Sequence, residues 1–237
     1  MAGPRLVDLA GLPLLDSLSL ANELAVARLV CFATDTVYGI GGSLRPEVGE
    51  AIVAAKGREP DKPLQVIFPT REVLFQAVEF TRVMADVMYR LLPGPLTLVI
   101  PYPAGFRYPP PATAAWESSR LFGLRRSREE VPTLGVRVPR WPDGARLLAT
   151  LTYPLVASSA NPSGGRGPAT LAEVDPLLSA ACDLLLDGGP AGGVASTVVD
   201  FSGYEDGRGW RIVREGAMSA RQIDEALKRK REDLPAV

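Results

Sequence analysis

Histidine is absent from all 237 residues. That absence excludes serine–histidine triads, histidine general bases and histidine-held zinc. Nor is there a G-x-x-x-x-G-K-[ST] loop, or a G-x-G-x-x-G between a strand and a helix. Any nucleotide this chain handles is therefore held without a P-loop or a Rossmann turn. Cysteine is scarce: Cys31 and Cys182 sit in apolar surroundings and read as buried, reduced thiols. No apolar run reaches the roughly 18 residues of a membrane helix. The opening MAGPRLVDLAGLPLLD has one arginine before its apolar part and an aspartate inside it, which makes a poor signal peptide. Asn161 is followed by proline and is no glycosylation acceptor. Excess charge is missing too, since the net value is −1, so nothing global favours a nucleic-acid or membrane surface. A cytoplasmic protein is expected.

With 46% hydrophobic and 22% charged residues the chain should be globular, and its length suits one large domain. Apolar runs at Leu29–Ala33, Leu64–Phe68, Leu96–Ile100, Leu134–Val138, Leu155–Ala157, Leu184–Leu186, Ser196–Phe201 and Trp210–Val213 read as strands. Helical spacing spans Ser17–Arg28, with Ser17 or Ser19 as cap, then Pro46–Lys56, Thr70–Leu92, Asp143–Leu151, Leu171–Ala181 and Ser219–Arg231. Strands and helices interleave without a repeat, which predicts an α+β, α/β-like fold with one mixed sheet and flanking helices. Residues 1–16 are expected to form an extension, 17–231 the domain and 232–237 a tail. Between 101 and 132 runs an insertion rich in proline, aromatics and arginine, expected to cover the site with Phe106 among its covering aromatics.

Three glycine-rich polar segments each follow an apolar strand: 34-TDTVYGIGG-42, 158-SSANPSGGRG-167 and 187-DGGPAGGVAST-197. One such loop alone is an ordinary turn. Three together, with hydroxyls at their edges, point to a site at strand ends. Lys56, Arg58 and Lys62 follow a helix, as a solvated helix end or as a phosphate clamp. Arg137, flanked by Gly135, Val136 and Val138 on a core strand, needs a partner or an anionic ligand. Arg214 has a similar setting.

In this order, TDTVYGIG, KGREPDKPL, LPGPLTLVI, LGVRVP, ASSANPSG, DGG and STVVDF resemble the YrdC-domain family, whose best-known members are threonylcarbamoyl-AMP synthases. The pairing of K-x-R at Lys56 and Arg58 with S-x-N at Ser159 and Asn161 is the specific part. The resemblance implies a twisted mixed sheet with a concave cavity, and a short form without a further C-terminal domain. It implies a reaction joining L-threonine, bicarbonate and ATP into threonylcarbamoyl-adenylate with release of pyrophosphate. The product would feed a tRNA threonylcarbamoyl-transferase complex; direct tRNA binding is left open. Carried over by motif, Lys56 and Arg58 serve catalysis. Lys56, Arg58, Lys62, Thr133, Ser159, Asn161 and Arg214 meet ATP. Thr34, Thr36, Tyr38, Arg137, Ala157 and Ser196 meet L-threonine, with the glycines after Tyr38 turning the chain beneath it. Magnesium is expected on the phosphates, and no protein metal site.

The chain departs from the pattern at Ile67, where many members carry histidine, and at Gly167, where serine is common. Two rival readings are a non-catalytic RNA-binding relative and a carbamoyl-transfer module. The near-zero charge weighs against the first. Two cysteines and no room for a second domain weigh against the other.

Overall fold

The computed structural model describes residues 3–57, 64–103, 106 and 133–229. Arg58, Lys62, most of the 101–132 insertion and the 232–237 tail lie outside the described residues. Ten strands form one sheet: β1 (Arg5–Asp8), β2 (Val30–Phe32), β3 (Gly39–Ser43), β4 (Gln65–Ile67), β5 (Leu96–Pro101), β6 (Thr133–Arg137), β7 (Leu155–Ser159), β8 (Leu184–Asp187), β9 (Thr197–Asp200) and β10 (Arg211–Arg214). Their order is β1-β8-β2-β3-β7-β4-β6-β5-β9-β10. Parallel pairs β1·β8, β2·β8, β4·β6 and β5·β9 stand beside antiparallel ones, so the sheet is mixed, as the interleaved pattern predicts. Residues 5–8, expected in an extension, form an edge strand against β8.

Period-two alternation gives the sheet two unlike faces. In register across its centre, Val156, Val66, Val136, Leu98 and Val199 are all fully buried. Each such side chain contributes roughly 1.5–3 kcal/mol on leaving water. Helix α2 (Pro46–Lys56) packs on this face, with Val48 against Gly42. Proline at its first turn and Gly57 in the left-handed region at its end (φ 56°) fix its limits. Helices α3 (Arg71–Ala77) and α4 (Arg82–Leu91) start where the Thr70 and Thr81 hydroxyls accept from Val73 and Met84 N–H.

The structure corrects several expectations. The first helix, α1, runs from Leu14 to Val26 after Pro13 and has no side-chain cap. Leu171–Ala181 is broken at Asp175-Pro176, because a residue before proline is driven out of the helical region. A 3₁₀ turn (Leu171–Glu173) precedes the short helix α5 (Pro176–Ala180), capped by Asp175. Asp143–Thr150 is 3₁₀ throughout. The last helix, α6 (Ala220–Lys228), carries a full capping box between Ser219 and Gln222.

The largest correction concerns the glycines after Tyr38. They are buried strand β3, not a turn. A Cβ on Gly41 would lie 2.1 Å from the Val156 carbonyl oxygen, so these glycines let β3 and β7 approach closely. Phe106, expected over the site, is buried in the core edge-on to Phe68. Cys31 and Cys182 are buried free thiols; burial, the larger cause, pushes both up, Cys182 to about 12. Among the described residues no helix is long and apolar enough to cross a membrane.

Candidate active site

Opposite the α2 face, the sheet carries a cavity of about 500 Å³. Its floor is built from the alternate residues that face away from α2: Gln65 and Ile67 of β4, Thr97 and Val99 of β5, Thr133, Gly135 and Arg137 of β6, and Ala157 and Ser159 of β7. The site therefore lies on a sheet face, and the three polar loops form its walls. Register sets the floor in rows. Ile67 pairs with Arg137 and Leu155 in the first. Gln65 pairs with Ala157, and Val99 with Gly135, in the second. Thr133 and Ser159 follow one step along, about 7 Å per row.

Arg137 closes the first end. It is only 2% exposed, and its Nη2 donates to Asp35 Oδ1 and Thr36 Oγ1 at 2.5 Å each and to Thr34 Oγ1 at 3.2 Å. The second Asp35 oxygen accepts from the Arg140 N–H at 3.1 Å. Thr34 gives its own proton to the Val37 carbonyl at 2.6 Å, so in the 3.1 Å pair with Thr36 the donor is Thr36. Burial lowers the Arg137 pKa and the Asp35 charge opposes that fall. Its Nε is buried with no hydrogen-bond partner. A guanidinium N–H left without an acceptor in a buried wall has the chemistry to take a carboxylate oxygen.

A second polar chain crosses the floor. Arg214 Nη2 donates to the Ser196 carbonyl (2.8 Å) and hydroxyl (3.2 Å), Ser196 and Thr97 hydroxyls are 2.9 Å apart, and Thr97 donates to Gln65 Oε1 at 2.9 Å. Partial burial of the guanidinium, and then the nearby Arg137 charge, lower the Arg214 pKa.

At the third row Lys56 Nζ donates to the Ser159 carbonyl. Asn161 Nδ2 donates to the Pro162 and Gly165 carbonyls at 2.8 and 2.7 Å, closing a turn in which Gly164 takes a positive φ. That leaves Asn161 Oδ1 buried without a donor, an acceptor aimed at a ligand N–H or O–H.

Nine sequence-predicted residues thus line one cavity: Thr34, Lys56, Thr133, Arg137, Ala157, Ser159, Asn161, Ser196 and Arg214. Thr36 sits behind Arg137. Tyr38 faces away: its hydroxyl bonds Asp187 (3.1 Å) and the Gly189 carbonyl (2.8 Å), joining two of the polar loops. Burial, then Asp187, pushes its pKa up. Ile67 is on the floor and Gly167 on the wall, and a Cβ on Gly167 would come within 2.7 Å of Val37 Cγ1. Asp35, Gln65 and Thr97 were not predicted. The signal for the last two was a polar residue inside an apolar run, LQVIF and LTLVI.

The Sua5/YciO/YrdC family model, described as telomere recombination, matches residues 23–216. The threonylcarbamoyl-AMP synthase of Pyrococcus abyssi is 30% identical over 212 residues, 87% of this chain and 56% of that protein. The Bacillus subtilis threonylcarbamoyl-AMP synthase is 32% identical over 206 residues, 84% of this chain and 53% of that protein. A solved structure of P. abyssi Sua5 complexed with L-threonine superposes with a TM-score of 0.67 at 27% identity, covering 90% of this chain and 58% of that one. The chain thus spans about half the length of these relatives.

Proposed function

The chain belongs to the Sua5/YciO/YrdC family, and from that premise we propose that it condenses L-threonine, bicarbonate and ATP into threonylcarbamoyl-AMP and pyrophosphate. One observation carries the reading. A single cavity has a buried arginine Nε lacking an acceptor at one end and, two rows away, Lys56 beside the Asn161 loop at the other. Threonine's carboxylate takes the Arg137 edge, with Thr34 and Ser196 near its other polar groups and Ala157 beneath it. Thr36 holds Arg137, and Tyr38 braces the loop. ATP takes Lys56, Thr133, Ser159 and the Asn161 acceptor. Arg58 and Lys62 join the phosphates on the strength of the motif alone.

Carbon dioxide adds to threonine's amine, forming one C–N bond and releasing a proton. A carbamate oxygen then bonds to the α-phosphorus while the bond to the bridging oxygen breaks, and pyrophosphate leaves. No protein nucleophile is required, which suits a chain without histidine. Its residues supply alignment, worth roughly 7–11 kcal/mol, and fixed charge near the developing anion. Magnesium would arrive on ATP as part of the substrate. The product is suited to a downstream tRNA threonylcarbamoyl transfer in the cytoplasm. Pyrophosphate release measured with threonine, bicarbonate or both omitted tests the reading. Release should need both, and equal release without threonine overturns it.

A further inference from the structure

Gln65 occupies the middle row of the cavity floor, between the Arg137 row and the row of Thr133 and Ser159. Its surroundings fix which way its amide faces. The Thr97 hydroxyl donates to Gln65 Oε1. With its proton committed there, Thr97 accepts from Ser196, and Ser196 accepts from Arg214. Every proton in the chain thus runs from Arg214 toward the Gln65 oxygen. The amide NH₂ is left on the cavity wall, with no partner among the described residues.

The floor is shaped for this. Gly135 lies between Gln65 and Thr97, and a Cβ there would sit 3.7 Å from Thr97 and 3.8 Å from the Gln65 backbone. Glycine keeps that strip of floor clear, so a β4 side chain reaches across to β5. The neighbouring floor is apolar, from Ile67, Val99 and Val198. Gln65 is therefore a neutral double donor midway between the amino-acid end and the nucleotide end. This inference rests on the reaction proposed above, whose carbamate must lie between those ends.

We propose that Gln65 contacts the substrate directly, its NH₂ donating to the carbamate oxygen that does not attack phosphorus. A donor here fixes the carbamate's rotation, so that its other oxygen faces the α-phosphorus. An uncharged donor does so without holding the anion too tightly to react.

Two variants separate this contact from a structural role. Gln65→Met keeps the volume and loses both hydrogen-bonding groups. Gln65→Glu keeps an oxygen for Thr97 and replaces the donor with an anion. With ATP saturating, Gln65→Met should raise the KM for bicarbonate about tenfold, as for the loss of a hydrogen bond to a charged group. Gln65→Glu should raise it further, although its contact to Thr97 persists. The KM for ATP should stay within about twofold of wild type, as should the calorimetric Kd for threonine without bicarbonate. A wild-type bicarbonate KM in Gln65→Glu overturns the proposal, because only the anchoring of Thr97 would then matter. A weakened threonine Kd also overturns it, placing the contact on the carboxylate. Should the β4 variants fail to melt cooperatively, Thr97→Val frees the amide from its orientation. It should raise the bicarbonate KM severalfold, and an unchanged value overturns the proposal. If the wild-type protein itself shows no threonine-dependent pyrophosphate release, the reaction fails first and this contact with it.

Discussion

Arg137 and Arg214 face one cavity on opposite terms. Arg137 is buried, its Nη2 shared among Asp35, Thr34 and Thr36, and Asp35 is itself held by the Arg140 backbone. Arg214 is partly exposed on an edge strand and, among the described residues, bonds Ser196. The Arg137 charge is balanced within the protein by Asp35, so in the proposed reaction that end would recognise by geometry, a fixed N–H meeting one carboxylate oxygen. At Arg214 no carboxylate among the described residues stands within ion-pair distance, which suits a charge offered to an anion by a side chain that can follow it. A substrate with a small rigid end and a long, flexible, highly charged end suits that division.

Arg137→Ala tests the rigid end and should have the largest effect. It leaves the half-buried Asp35 without its counter-charge, which costs about 3 kcal/mol, the lower end for breaking a buried pair. Urea unfolding should register that loss, and kcat/KM for threonine should fall about a hundredfold or more. Arg137→Lys should recover little of either, since one ammonium cannot span three acceptors and still present an edge. Near-wild-type threonine kinetics in the lysine variant would show that charge alone suffices there.

The loops that carry Thr34–Thr36 and Ser159–Asn161 adjoin the β3–β7 pair, and Gly41→Ala attacks the close approach of those strands. The added methyl meets the Val156 carbonyl at 2.1 Å, a backbone atom that cannot rotate away. Destabilisation of about 3 kcal/mol is expected from overpacking. A denaturation midpoint equal to wild type would show that β3 moves freely.

This position also marks where the sequence was hard to read. The mixed sheet followed from strands and helices in alternation, and nine of the motif residues line one cavity, Thr36 and Tyr38 standing outside it. GIGGS failed as a strand because glycine is disfavoured there by local propensity, and only contact with β7, more than a hundred residues on, makes it necessary. The floor was missed for a related reason. Loops at strand ends were expected to bear the chemistry, whereas Gln65 and Thr97 lie inside strands and became visible once register put them on the face away from α2. Asp35 sat in plain view between two threonines, but its partnership with Arg137 spans 102 positions.

Asp35→Asn should have a smaller effect than loss of Arg137. The amide keeps an acceptor for the guanidinium but removes the neutralising charge. The KM for threonine should change by roughly tenfold or less, while the fold survives. A change in ATP affinity with threonine kinetics intact would break the assignment of this pair to the amino-acid end.

At the open end, Arg214→Lys should retain most activity and Arg214→Ala lose about tenfold. Stability should move within about 0.5 kcal/mol in both, as for an exposed side chain. The smallest expected effect is the dependence on salt, and it bears on both ends at once. Exposed charges are screened over about 8 Å at physiological ionic strength, whereas a buried, already neutralised pair is screened far less. Raising potassium chloride from 50 to 300 mM should therefore increase the KM for ATP severalfold and leave that for threonine nearly unchanged. Serine, which keeps the carboxylate and the hydroxyl but lacks the methyl, should bind more weakly than threonine by a similar factor at both salt concentrations. Equal salt sensitivity for ATP and threonine would mean that the two arginines meet their ligands on the same terms, and the contrast between a neutralised end and a charged end would be wrong.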